Sequence, residues 1–246
     1  MREMATTADH KSLAQLAEGY WVESRRPLAS LVFIAPLLIA YELGVVWLGV
    51  QNGADAFMRR LLNVLGFSHH FLLPVLMVGI LLGWHYLSRQ PWRLSGGTIS
   101  GMAAESILLA ICLRVILFLQ DAMFAAMAAP VELSIGGKFK DAVGFLGAGI
   151  YEELLFRLIL LSLVAWGLLR AGMKPWAGMI VAALLTSLLF AAAHYVGGSG
   201  DEFQFQWRSF IFRFLAGVFF SMVFVYRGFG IAAGSHAAYD LLVGTF

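Results

Sequence analysis

Residues 142–169 read AVGFLGAGIYEELLFRLILLSLVAWGLL, an apolar run interrupted by three charged side chains, Glu152, Glu153 and Arg157. A helix of about 20 mostly apolar residues spans a bilayer, and this run is long enough. An ionised side chain at mid-bilayer costs at least about 2.5–3.5 kcal/mol on insertion scales, so each of the three needs a partner or a task. At about 100° per residue, Glu153 and Arg157 share one helix face, whereas Glu152 points roughly 100° away from Glu153. Arg157 is expected to neutralise Glu153 and leave Glu152 free to face a wet cavity. The alternative is a buried ion pair with one snorkelling Glu.

Similar blocks flank this run. The sequence is 60% hydrophobic and only 13% charged, against about 25% charged in an ordinary soluble domain. Membrane helices are predicted over Leu28–Val50, Phe71–Leu87, Ile99–Leu119, Ala142–Leu169, Trp176–Val196, Trp207–Tyr226 and from Phe229 to the C-terminus. A short interfacial helix within Gln120–Asp141, a stretch broken by Pro130, Gly136 and Gly137, would add an eighth. The expected fold is an all-α polytopic transmembrane bundle of seven to eight membrane helices. Residues 1–27 form a polar cytoplasmic segment without the short apolar core of a cleaved signal peptide. Residues 28–246 form a single membrane domain whose catalytic core lies at about 143–246.

With the N-terminus inside, nine Lys and Arg fall in inner segments and five in outer ones. The positive-inside rule therefore favours a cytoplasmic N-terminus, and the bacterial inner membrane is the expected location. The formal charge of +2, scattered beside hydrophobic blocks, excludes a nucleic-acid surface. The single cysteine, Cys112, excludes a disulfide framework and a cysteine metal knot.

Two further segments carry chemistry. Phe190 and His194 stand one turn apart near the end of the fifth apolar run, before Gly197, Gly198, Ser199 and Gly200. His236 and Asp240, four apart and so on one face, sit in the last run beside Gly234 and Ser235, which permit close helix approach. Two imidazoles and a free carboxylate from three helices can supply general-base and oxyanion-stabilising chemistry. The same groups, His194, His236, Glu152 and Asp240, are also the ligand types of a divalent metal such as zinc.

In that order, Glu152-Glu153-x-x-x-Arg157, Phe190-x-x-x-His194 and His236-x-x-x-Asp240 resemble the motif series of the CAAX-protease and bacteriocin-processing family, whose eukaryotic relatives cleave prenylated CAAX proteins. The resemblance spans about Val143 to Val243. It implies an intramembrane endopeptidase in which Glu152 and His194 activate the attacking water, while His236 and residue 240 stabilise the oxyanion. Glu153 and Arg157 would orient the site, with Phe190 supporting it. The implied partners are membrane lipid and a membrane-anchored or lipidated protein or peptide. No obligatory cofactor is expected.

The family often has Asn at the last motif position, where this sequence has Asp240. An ionised Asp cannot donate to an oxyanion, so Asp240 is protonated through burial, orients His236, or binds a metal.

Other intramembrane polar residues read as structural. Glu105 and Arg114 lie on opposite faces of the third helix and need partners elsewhere, and Glu42 could pair with Arg114 or Arg213. His69, His70 and His85 lie at expected interfaces, where a solvated His is ordinary. The Phe- and Met-rich sixth helix reads as lipid-facing or packing surface. The competing functions are a non-catalytic membrane scaffold or immunity-type protein of the same fold, and an ion-coupled transporter. Against the latter, the chain is short and shows no inverted repeat.

Overall fold

The computed structural model describes residues 19–124, 138–196 and 205–245. Residues 1–18, the segment with Pro130, Gly136 and Gly137, and the run Gly197, Gly198, Ser199 and Gly200 lie outside the described residues. A helical turn at 19–23 leads into α1 (Pro27–Leu48), where Pro27 occupies the first turn and Gly49, at φ 66°, ends the helix. Then follow α2 (Gly53–Val64), α3 (Leu72–Leu87) and α4 (Gly96–Phe124).

The next rod, α5, is composite. It runs through Lys138–Gly147, Ala148–Glu152, Leu154–Leu161 and Ser162–Arg170, and the two middle pieces have π-helical hydrogen bonding. The bundle closes with α6 (Pro175–Ala193), α7 (Trp207–Arg227) and α8 (Phe229–Thr245), the last two separated only by Gly228 at φ 87°.

Among the described residues there is no strand, as the all-α reading requires. Four helices are long and apolar enough to cross a membrane by length and composition: α1, α4 over Gly96–Gln120, α6 and α7, with mean hydropathies between 1.9 and 2.2. The sixteen-residue α3 is apolar but shorter. The expected count of seven to eight membrane helices is therefore not confirmed. The chain is an integral membrane protein, and its surface accords with that. Ile39, Val46 and Trp47 of α1, Leu108 and Val115 of α4, and Leu185 and Leu189 of α6 all face outward.

The centre is α8, which packs against α1, α4, α5 and α7. Its residues 229–237 are all buried. Two close approaches set the geometry. A Cβ at Gly149 would lie 2.5 Å from the backbone nitrogen of Ala237, so α5 and α8 meet almost backbone to backbone. A Cβ at Gly217 would lie 2.8 Å from Ser187 Cβ, which brings α7 equally close to α6.

Two sequence expectations are corrected. Glu42 pairs with neither Arg114 nor Arg213. It accepts from Arg59 at 3.1 and 3.2 Å and from the Tyr151 hydroxyl at 2.5 Å. Residues 53–64, outside every expected membrane helix, form an amphipathic helix that brings Arg59 to Glu42. His85 is fully buried, edge-on to Trp92 with ring centroids 4.6 Å apart, and is not solvated. Phe220 of α7 serves as packing surface, one of the two readings of that helix, and is buried against His236.

Candidate active site

The two carboxylates of α5 sit where the helix widens. Glu152 closes the first π-helical piece, and Glu153 joins it to the second. A π turn holds more residues than an α turn, so adjacent side chains diverge by less than they would on an ordinary helix. Both carboxylates thereby reach the same cluster.

Arg157 is almost wholly buried, and its Nη1 lies 3.0 Å from Glu153 Oε1. Its Nη2 donates to the carbonyl of Gly217 at 3.2 Å, and the guanidinium stacks over the Phe190 ring at 4.4 Å. The side chain that neutralises Glu153 thus also ties α5 to α6 and α7. The same Glu153 oxygen lies 2.7 Å from His236 Nδ1. A carboxylate accepts, so Nδ1 carries the proton that is shared with Glu153 and Nε2 points the other way. Phe220 stacks flat on the His236 ring at 4.4 Å and 15°, with Phe190 edge-on at 6.0 Å.

His194 is the C-cap of α6. Its Nδ1 lies 2.8 Å from the carbonyl of Phe190, one of the orphan acceptors at a helix end. Nδ1 therefore donates, and in the neutral ring Nε2 presents a lone pair. That nitrogen lies 3.8 Å from Glu152 Oε2, and His236 Nε2 lies 3.9 Å from the same oxygen. Asp240 Oδ2 stands 3.5 Å from His236 Nε2.

The four expected residues Glu152, His194, His236 and Asp240 thus come together around one point, with Glu153, Arg157 and Phe190 behind them. Glu152 Oε2 is buried and makes no hydrogen bond. The gaps to the two imidazoles are too long for direct bonds and are of the size that a bridging water spans. Sequence reasoning missed Asn52, whose Nδ2 donates to Glu152 Oε1 at 3.1 Å, and Phe220 as the platform for His236. Asn52 precedes a polar segment with no motif, and a Phe among many carries no local signal.

Among the described residues, no group of three His, Cys, Asp or Glu side chains has the geometry to hold an ion.

The C-terminal part of the chain, residues 140–242, matches the family model described as type II CAAX prenyl endopeptidase, Rce1-like. This segment is an Rce1-like domain. Its limits bracket all three motif pairs, and the match agrees with the family whose motif series the sequence resembles. The match is to a family of endopeptidases, and it lies among helices apolar enough to cross a membrane. No curated protein and no solved structure matches the chain.

Proposed function

We propose that this protein is an intramembrane endopeptidase of the glutamate type, hydrolysing a peptide bond in a membrane-anchored or lipidated protein or peptide. The observation that carries the reading is Glu152 Oε2, buried, without a partner, and facing the Nε2 atoms of two histidines. A water in that gap can give one hydrogen to Glu152 and the other to the His194 Nε2 lone pair, which polarises its oxygen for attack.

The water oxygen bonds to the substrate carbonyl carbon, and its proton passes to Glu152. The C–N bond then breaks, and the leaving nitrogen takes the proton back. The products are an acid and an amine. His236 Nε2 stabilises the oxyanion if it carries a proton, which, with Nδ1 also donating, means the imidazolium. Glu153 on Nδ1 holds that ring in place, a role that Asp240, on the opposite nitrogen, does not fill. We assign Asp240 in its protonated form as the second oxyanion donor.

Burial of the charged side chains among apolar helices supports a site reached from within the membrane. We place the chain in the bacterial inner membrane, and the distribution of Lys and Arg supports a cytoplasmic N-terminus. The test is cleavage by the purified chain in phospholipid nanodiscs of internally quenched farnesylated and unmodified membrane peptides. The wild type should cleave and E152Q should not. No cleavage of any peptide by the wild type, or full activity in E152Q, overturns the proposal. Chelation with EDTA should leave the rate unchanged; loss of activity that zinc restores would instead make the site metal-dependent.

A further inference from the structure

We infer that Asn52, at the junction of α1 and α2, is a positioning residue that aims the Glu152 carboxylate. The inference rests on the assignment of Glu152 as the base. Asn52 lies far outside the Rce1-like segment 140–242, and the motif series does not include it.

Both ends of its amide are engaged. Oδ1 accepts from the backbone N–H of Ala54 at 2.8 Å and so caps α2, while Nδ2 donates to Glu152 Oε1 at 3.1 Å. Turning the amide over would set an oxygen against a carboxylate and an NH₂ against an N–H, so the cap fixes which end faces Glu152. With Oε1 held, Oε2 is the oxygen left turned to the two imidazoles.

The support behind Asn52 is continuous. Its backbone N–H donates to the Tyr41 hydroxyl at 2.9 Å, which donates to Asp55 Oδ2 at 2.9 Å. Asp55 holds Arg59 at 2.5 Å, Arg59 holds Glu42, and Glu42 accepts from Tyr151, the residue next to Glu152. The base is thus fixed on both sides by α1 and α2. Its pre-organisation comes from the N-terminal half of the chain, and its chemistry from the C-terminal half.

A plain capping role predicts something different. Asp and Ser cap a helix about as well as Asn, and Ala does not, but neither Asp nor Ser carries an amide donor that can reach Glu152 in this way. The experiment compares N52D, N52S and N52A of the full chain in nanodiscs. It measures kcat and KM on a peptide that the wild type cleaves, together with thermal unfolding, and E152Q serves as the inactive reference.

N52D and N52S should unfold within a few degrees of wild type. Their kcat should fall about 100-fold, the scale of a misplaced catalytic group, with KM nearly unchanged and N52D no better than N52A. Should N52A fail to fold, the two capping variants carry the test. Wild-type kcat in N52D or N52S reduces Asn52 to a cap and overturns the inference, as does a loss of kcat that merely follows the folded fraction. Full activity in E152Q would remove the base assignment itself, an outcome separate from either of these.

Discussion

Two buried ionic clusters in this bundle have opposite accounts of their polar atoms. At Glu105, every oxygen is used. Arg227 donates to both at 2.5 and 2.7 Å, and Tyr20 adds a third bond at 2.5 Å. Arg227 in turn donates to Ser24 Oγ at 2.9 Å and stacks on Trp21 at 3.6 Å. At Glu152 and Glu153, each carboxylate keeps one buried oxygen without a hydrogen bond, and that of Glu152 faces two imidazole nitrogens across gaps of 3.8 and 3.9 Å. A saturated charge cluster in a membrane protein joins helices. An unsaturated one stores interaction capacity that a substrate and a water can use.

Substitutions at five positions would break or sharpen this contrast. E152Q should lower turnover about 1,000-fold without moving the thermal unfolding midpoint, since Gln keeps an oxygen for the Asn52 amide and the other carboxylate oxygen makes no hydrogen bond; a lower midpoint would place Glu152 in the structural class. R157A strands Glu153, which is fully buried. It should cost about 3–5 kcal/mol of stability in denaturant titration and lower activity per folded molecule, because Glu153 holds His236. R227A, by comparison, should cost about 2–3 kcal/mol, less because the Glu105 side chain keeps 21% exposure, and leave activity per folded molecule intact. If R227A and R157A behaved alike, the two clusters would not differ in kind.

Position 240 probes the oxyanion side alone. D240A should reduce kcat about 100-fold, whereas D240N supplies a donor without needing a proton and should stay within about threefold of wild type. The smallest effect belongs to Glu23, next in the chain to Ser24 of the saturated cluster. Burial opposes its ionisation, but hydrogen bonds from Thr98 and the Ser95 N–H, with the Arg26 charge, hold its carboxyl below the ordinary 4.5. Its contribution to stability is present above that value and is lost as pH falls through the lowered folded value. E23Q should therefore flatten the acid end of the melting-temperature profile, and an unchanged profile would remove that contribution.

The sequence displays what lies within one helix and hides what crosses between helices. Glu153 with Arg157 and His236 with Asp240 are four-residue pairs, legible from helical periodicity, and the structure sets each pair close. Glu105 and Arg227 stand 122 residues apart. Hydropathy can say that each needs a partner, but not which. The partner of Glu42, Arg59, is hidden for the same reason, and because an amphipathic helix of mixed polarity looks like a loop beside long apolar runs. His85 was read as solvated because its neighbours Trp84 and Tyr86 suggested an interface, although packing by Trp92 buries it. The bundle was legible from composition. The helices that carry the site are harder to count, because the charges that make them functional lower their hydropathy.

The wide turns of α5 also separate two rotational phases. Upstream of residue 148 and downstream of 161 the rod winds as an ordinary helix, but the intervening pieces take more residues per revolution. The side that Leu163 and Trp166 turn outward is therefore offset from the side defined by the helix before Gly149. Lipid contact at one end and helix contact at the other can each settle at its own angle, with Glu152 and Glu153 at the seam. Deleting one residue between 154 and 161 would draw the rod toward a uniform winding and swing its outer half by roughly a quarter turn, displacing Arg157 from Phe190 before touching either carboxylate.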